Sequence, residues 1–104
     1  MSSSPTQRSL KLMRERCYLC EITERWNQWA KVRQDLFSFV DVLCIKDGET
    51  VAVQTTSYSN ISARVKKISE LDTAPIVKLA GWKIIVQGWR KDKSGKWVVR
   101  EVEL

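Results

Sequence analysis

The sequence has no histidine among its 104 residues. This absence excludes the Ser-His and Cys-His pairs that activate nucleophiles, and it excludes acid–base catalysis by histidine. It also leaves zinc with few ligands, because structural and catalytic zinc sites are built from histidine and cysteine.

Cysteine is scarce as well, with three residues in the chain. Cys17 and Cys20 form a CxxC motif, but no second ligand pair completes a tetrahedral zinc site. A thioredoxin-like CxxC opens a helix after a strand, whereas this one closes a helix and begins a strand. We therefore predict reduced cysteines that pack in the interior.

Long apolar runs are also missing, since none approaches the roughly 18 residues that a membrane helix needs. The first ten residues lack the apolar core of a secretory signal, so a cytoplasmic protein is expected, in a bacterial, archaeal or phage-infected cell, with no membrane partner.

The length and the 43% hydrophobic content predict a single domain, 1–104, with residues 1–4 as a disordered tail.

Positive charge is present in excess. Eighteen Lys and Arg against twelve Asp and Glu give a net charge of +6 and a pI near 9.5. Such an excess in a small domain favours a polyanionic partner, most often nucleic acid. The alternative is a solvated cationic surface with no such partner.

Hydrophobic periodicity predicts an α/β fold: a mixed β-sheet with flanking helices in the order α-β-β-β-α-β(-β). The 26–34 segment has no clear period and is predicted to be a turn or mobile loop. The predicted elements are a helix over 5–16, strands over 18–23, 36–45 and 50–56, helices following Asn60 and over 74–80, and a closing pair of strands over 82–89 and 96–103.

Two polar residues interrupt the apolar strands. The dipeptide Asp47-Gly48 is typical of a two-residue hairpin loop. Counting outward from it places Asp41 opposite Gln54 and Phe39 opposite Thr56. Residues directly opposite share a face of the sheet, as do Gln54 and Thr56, two positions apart. The pattern predicts that Asp41, Gln54 and Thr56 converge.

A carboxylate buried alone costs several kcal/mol unless it is paired or binds a cation. Asp41 therefore either caps a loop or pairs with Arg33 or Arg64, or it contributes to a site for a hard cation. Oxygen ligands from Asp41, the Gln54 amide and a strand carbonyl suit Mg²⁺ or Mn²⁺.

These residues resemble the core motif of the PD-(D/E)XK nuclease superfamily. Asp41 matches the family's aspartate on the second strand, Gln54 its Asp/Glu position and Thr56 its lysine. The stretch GETVAVQTTSYSNISARVKKI is similar to small phage-type, Holliday-junction-resolvase-like members, and the likeness covers most of residues 8–90. It implies a restriction-endonuclease-like core that uses Mg²⁺ to hydrolyse DNA phosphodiesters.

Two of the three motif positions depart from that pattern. Gln54 keeps a ligand oxygen without its charge, and Thr56 cannot supply a cation. Asp35 and Glu24 are candidate additional acids, with Asp35 a third candidate metal ligand beside Asp41 and Gln54. Lys66, Lys67 or Arg64, all on the next helix, are the candidate replacements for the lysine. The alternative for each is a solvated surface charge.

The leading prediction is a Mg²⁺- or Mn²⁺-dependent endodeoxyribonuclease that cuts duplex or branched DNA and acts, as the resemblance implies, as a homodimer. Trp26 or Trp29 can stack on an unpaired base; the alternative for both is core or dimer packing. The rival predictions are a nuclease-like fold that only binds DNA and a protein-interaction module. The predicted DNA contacts are Arg25, Trp29, Lys31, Arg33, Asn60, Arg64 and Lys66.

Overall fold

A five-stranded mixed β-sheet forms the centre of the protein in a computed structural model that describes residues 4–104. The elements in chain order are α1 (Pro5–Glu15), β1 (Leu19–Ile22), β2 (Arg25–Asn27), β3 (Val32–Gln34), β4 (Val42–Lys46), β5 (Glu49–Ser57), a short 3-10 helix (Tyr58–Asn60), α2 (Ile61–Ser69), α3 (Thr73–Leu79), β6 (Lys83–Lys91) and β7 (Trp97–Glu103).

The strand order in the sheet is β1-β4-β5-β6-β7, and β2 and β3 form a separate hairpin. Every neighbouring pair in the sheet is antiparallel except β5 and β6, which are parallel and are connected through α2 and α3. The prediction of a single α/β domain with a mixed sheet and flanking helices is confirmed. The hairpin of β2 and β3 is an addition to the predicted order.

Helix α1 covers one face of the sheet. Ser4 caps the helix by accepting a hydrogen bond from the Gln7 amide, and Pro5 follows at the first helical position. The buried residues Leu10 and Met13 of α1 pack against Cys20, Cys44 and apolar residues of β4 and β5. Cys20 and Cys44 are therefore packing residues, as predicted, whereas the prediction was wrong for Cys17, which is exposed. Within the predicted tail 1–4, Ser4 has this capping role, and residues 1–3 lie outside the described residues.

Helices α2 and α3 cover the other face. Ile61 and Ile68 of α2, with Ala74 and Val77 of α3, are buried against alternate residues of β5 and β6. Because side chains alternate along a strand, β5 contributes Val51 and Val53 to the α1 face but Ala52 to this one. Asn60 is at the start of α2, but its side chain makes no capping hydrogen bond.

The prediction for residues 26–34 was wrong in part. They belong to an antiparallel hairpin in which Arg25 pairs with Gln34 and Asn27 with Val32. The turn between the strands is closed by the Asn27 side chain, which accepts hydrogen bonds from the amides of Trp29 and Ala30. Strands of three residues are too short to show an alternating pattern, so the sequence favoured a loop.

The predicted strand 36–45 is also corrected, because β4 begins only at Val42. The preceding residues form a tight turn in which Leu36 and Val40 make an isolated bridge, and Phe37 and Ser38 adopt positive φ angles of 54° and 73°. The apolar run is explained by the turn's own burial, since Phe39 and Val40 have no exposed surface.

The Asp47-Gly48 turn was predicted correctly. Both residues have positive φ, at 47° and 79°, which is the conformation of a type I′ hairpin. Lys46 pairs with Glu49, and the register continues to Val42 opposite Val53. No helix within residues 4–104 is long and apolar enough to cross a lipid bilayer.

Candidate metal centre

A cleft of about 320 Å³ opens at the carboxyl end of β5. It contains six of the residues singled out from the sequence, namely Glu24, Asp35, Asp41, Gln54, Thr56 and Arg64. The other residues that line it are Pro5, Thr6, Thr55 and Ser57. Four parts of the chain thus meet at this end of β5. They are the first turn of α1, the ends of the β2–β3 hairpin, the start of β4 and the middle of α2.

Three carboxylates lie together in the cleft. Glu24, Asp35 and Asp41 each place an oxygen within 4.8 Å of the other two. Two pairings of the chain explain this. Glu24 and Asp35 flank the pair Arg25–Gln34 at the end of the hairpin, and Asp35 and Asp41 flank the Leu36–Val40 bridge. The β2–β3 hairpin and the turn before β4, neither of which was predicted, therefore bring the three carboxylates together.

Asp41 is anchored on β5, although not as predicted. Its carboxylate accepts hydrogen bonds from the backbone N–H of Thr55 at 2.8 Å and from the Thr55 hydroxyl at 3.2 Å. The regular ladder ends at Val42, and the Asp41 amide donates to the Val53 carbonyl. The predicted contact with Gln54 is thus replaced by one with Thr55. The predicted Phe39–Thr56 pair does not form, because Phe39 lies in the turn before β4.

The pKa of Asp41 is raised from 3.8 to about 7. Burial is the largest cause, because a side chain that is 5% exposed has lost the water that stabilises its charge. The negative charges of Asp35 and Glu24 raise the pKa further, and the hydrogen bond from the Thr55 amide opposes them. Without a compensating cation, Asp41 is therefore about half protonated at neutral pH.

A chain of hydroxyl groups connects two of the acids. The Thr6 hydroxyl donates to Glu24 at 3.2 Å and lies 3.1 Å from the Thr55 hydroxyl, which in turn contacts Asp41. Sequence reasoning missed both threonines. Side chains alternate between the two faces of a strand, so Thr55 was expected on the face opposite to Gln54 and Thr56. Nothing in the sequence distinguishes Thr6 in the first turn of α1.

Gln54, which lines the same cleft, has an unusual side-chain oxygen. The side chain is 1% exposed, and its Oε1 atom accepts no hydrogen bond from any residue in 4–104. Leaving a buried acceptor unsatisfied costs about 1–3 kcal/mol, so such atoms are rare and call for a partner. A cation or its bound water would satisfy this oxygen.

The donor set fits a hard divalent cation. Three carboxylates and one amide oxygen are the ligands that Mg²⁺, Mn²⁺ and Ca²⁺ prefer. Among the ion pairs formed within residues 4–104, Arg33 with Glu24 at 3.4 Å is the one that reaches the cluster. The alternative in which Asp41 pairs with Arg33 or Arg64 is thus not seen in this part of the chain.

The remaining candidates lie outside the cleft. Lys67 lines a neighbouring groove with Arg33 and Asp35. Asp35 lines both this groove and the cleft, whereas Lys67 lines only the groove. Trp29 is 90% exposed and belongs, like Lys31, to the turn of the β2–β3 hairpin. The exposed candidates that do not line the cleft are Arg25, Trp29, Lys31, Arg33, Asn60, Lys66 and Lys67.

Comparisons of the chain with protein-family models, with curated proteins and with solved structures gave no match.

Proposed function

We propose that this protein is a divalent-metal-dependent endodeoxyribonuclease whose Mg²⁺ or Mn²⁺ is held by Asp41, Asp35, Glu24 and Gln54. One observation carries the proposal: the three clustered carboxylates line the same cleft as Gln54, whose side-chain oxygen Oε1 is buried and unpartnered among residues 4–104. Acidic clusters alone are common on protein surfaces. The Oε1 atom of Gln87 is buried and unpartnered as well, but Gln54 differs from Gln87 in lining the cleft that contains the three carboxylates, and this coincidence is the reason for a cation.

The energetics of the cleft support a role in cation binding. Three carboxylates within 4.8 Å of one another repel, and one of them is buried. An arrangement of this kind lowers the free energy of unfolding in the absence of a cation, so it is more easily explained by binding than by stability. The raised pKa of Asp41 expresses the same cost.

A bound metal ion would supply two effects, a lowered pKa of its water and stabilisation of negative charge on the scissile phosphate. The chain's own residues have the other roles. Thr55 holds the Asp41 carboxylate through two hydrogen bonds, and Thr6 holds Glu24. Arg64 lines the cleft and is the cation on it best placed to face a phosphate oxygen.

The resemblance to the PD-(D/E)XK superfamily supports the same proposal. The element order supports this proposal: it runs α1, the sheet strands β1, β4 and β5, helix α2 and the strands β6 and β7, with the β2–β3 hairpin and α3 as additions. The net charge of +6 suits DNA, either duplex or branched. Cutting two strands symmetrically requires two sites, so the proposal includes a homodimer.

A specific observation favours a second candidate function, DNA binding without cleavage. Thr56 stands at the family's lysine position and is buried, and Lys67 lies outside the cleft. If neither Arg64 nor the metal replaces the missing lysine, the protein binds DNA and leaves it intact.

A cleavage assay separates the two candidates. Labelled four-way junction, duplex and single-stranded DNA are incubated with the protein in Mg²⁺, Mn²⁺ or EDTA. We expect cleavage with metal and none in EDTA, and Asp41→Asn is expected to lower the rate at least about a hundredfold because it removes a ligand charge. Asp72→Asn is the matched control, because Asp72 is exposed and its side chain makes no capping bond.

Binding of all three DNAs without cleavage in either metal would support the second candidate instead. Cleavage by Asp41→Asn at the wild-type rate would remove the cleft as its site.

A further inference from the structure

An aromatic side chain lies between two arginines beside the cleft. The guanidinium carbon of Arg90 is 5.0 Å from the centre of the Tyr58 ring, and that of Arg100 is 5.9 Å from it. All three side chains are exposed. We call these three residues the Tyr58 surface. None of them belongs to the candidate metal centre.

The sheet and the 3-10 helix build this surface together. Gly88 pairs with Arg100 and Arg90 with Val98, so Arg90 and Arg100 project from the sheet face that α2 covers. A Cβ atom on Gly88 would lie 2.4 Å from Ile61 side-chain atoms and 3.1 Å from the Tyr58 Cα. The absence of a side chain at Gly88 thus allows the start of α2 to approach the strand and brings the Tyr58 ring between the two arginines.

The positive charge of this surface is not neutralised nearby. The ion pairs described within residues 4–104 involve Arg16, Arg33 and Lys83 and include neither Arg90 nor Arg100. The neighbouring carboxylates are otherwise engaged. Glu101 is next to Arg100 in sequence but on the other face, where it binds Arg16 and Gln87. Asp92 accepts hydrogen bonds from Ser94 and Lys96, which lower its pKa, and the charge of Arg90 lowers that pKa as well.

The Tyr58 surface adjoins the cleft through the chain itself. Ser57, the residue before Tyr58, lines the cleft, and so does Arg64 from the first turns of α2. Arg64 therefore lines the acidic cleft itself, and Tyr58, the residue whose ring Arg90 and Arg100 contact, directly follows the cleft residue Ser57. A negatively charged polymer passing through the cleft would meet these cations next.

We propose that the Tyr58 surface binds the sugar-phosphate backbone of DNA next to the cleft, with Arg90 and Arg100 contacting successive phosphates. This inference rests on the proposed function only in taking DNA as the ligand. Guanidinium groups bind phosphate oxygens in a two-pronged geometry, and stacking against the Tyr58 ring holds both groups in place before DNA arrives. The surface makes no sequence-specific contact, since phosphates carry no sequence information directly.

The test measures DNA binding in EDTA, where no metal-dependent cleavage can occur. Fluorescence anisotropy with labelled duplex and four-way junction is recorded between 50 and 200 mM salt, the range over which phosphate contacts change affinity strongly. The double variant Arg90→Gln/Arg100→Gln should bind at least about tenfold more weakly, and its slope of log K against log salt should fall by about 2.

Two controls isolate the surface. Arg14→Gln/Lys78→Gln removes the same total charge from exposed positions on α1 and α3, and it should change the affinity about threefold or less. Tyr58→Phe keeps the ring and should bind as the wild type does, whereas Tyr58→Ala should bind more weakly. Thermal melting of each variant confirms that it is folded.

The outcomes distinguish this inference from the proposed function. Equal affinity and equal salt slope for the wild type and Arg90→Gln/Arg100→Gln would overturn the inference, even if the wild type cleaves DNA with Mn²⁺. No measurable DNA binding by the wild type at 50 mM salt would also overturn it, since phosphate contacts are strongest there. A selective loss of affinity in a protein that never cleaves would support the Tyr58 surface and contradict the nuclease.

Discussion

The carboxylate of Asp41 accepts two hydrogen bonds from a single residue, Thr55, one from its backbone amide at 2.8 Å and one from its hydroxyl at 3.2 Å. These bonds connect the start of β4 to the end of β5, where the other cleft residues lie. Because Thr55 also contacts Thr6, its hydroxyl joins the acid cluster to the first turn of α1.

Replacing that hydroxyl should destabilise the protein. Thr55→Val keeps the shape and the backbone hydrogen bond but removes the hydroxyl from a buried network, so we expect the free energy of unfolding to fall by about 1–2 kcal/mol. Denaturant unfolding in EDTA measures the change. Thr56→Val is the control, since it makes the same change at the next residue of β5, whose hydroxyl makes no hydrogen bond described within residues 4–104. An equal loss in both variants would mean that the Asp41 contact has no special role.

Stability should depend on pH through Asp41. Its pKa is 3.8 in an unfolded chain and about 7 in the folded protein, so the folded state binds more protons between these values. The free energy of unfolding should therefore fall as the pH rises from about 4 to 7, by on the order of 2–4 kcal/mol, and then level off.

Urea unfolding at pH 5 and pH 8 in EDTA checks this dependence. Asp41→Asn should remove most of the difference, and Asp72→Asn should preserve it. The lowered pKa of Glu101 acts in the opposite direction and mainly below pH 5, since its contribution is lost as the pH falls. Stability that rises from pH 5 to pH 8 in the wild type would contradict the raised pKa.

Gln54→Glu should have opposite effects with and without metal. In EDTA the new carboxylate adds repulsion to the cluster of Glu24, Asp35 and Asp41, so the melting temperature should fall. With Mn²⁺ the added ligand charge should strengthen metal binding and raise the melting temperature relative to the EDTA sample by more than in the wild type.

A matched control for this variant lies on the adjacent strand. Gln87 is opposite Thr55 in the parallel ladder, is fully buried and also has an unpartnered Oε1 among the described residues. Gln87→Glu places a carboxylate against Glu101, so it should lower the melting temperature equally in EDTA and in Mn²⁺. A Mn²⁺ response of Gln54→Glu no larger than that of Gln87→Glu would argue against Gln54 as a ligand.

The proposed homodimer has a separate test. Trp26, Trp29 and Trp97 are 59%, 90% and 41% exposed, so part of the aromatic surface is available for an interface. We expect a dimer in sedimentation velocity at micromolar concentration, with or without DNA. A monomer under both conditions would contradict the dimer and the symmetric cutting of two strands.

Much of the fold followed from local signals. The helix predicted over 5–16 is present as α1, and the Asp47-Gly48 turn fixed the pairing of β4 with β5. That register also indicated that Asp41 and Gln54 lie at one end of the sheet, and both line the cleft. Each of these predictions depended on residues close together in sequence.

The rest depended on contacts that local patterns do not reveal. The β2–β3 hairpin has three-residue strands and is held by an Asn27 turn, so its alternation is too short to detect. The buried Phe39 and Val40 are as apolar as strand residues, yet they belong to a turn. Thr55 is a partner of Asp41 because the regular pairing of β4 with β5 ends at Val42. Beyond that residue, counting outward from the turn no longer predicts which residues lie opposite each other.

The divalent cation is tested most directly by counting Mn²⁺ bound at pH 8, using the loss of the free-ion signal in electron paramagnetic resonance. We expect the wild type and Asp72→Asn to bind at least one ion per chain, and Asp41→Asn to bind at least about tenfold more weakly. Binding by the wild type should weaken at pH 5.5, because Asp41 is then protonated. A wild-type protein that leaves the free Mn²⁺ signal unchanged, or an Asp41→Asn protein that binds as the wild type does, would contradict the metal centre.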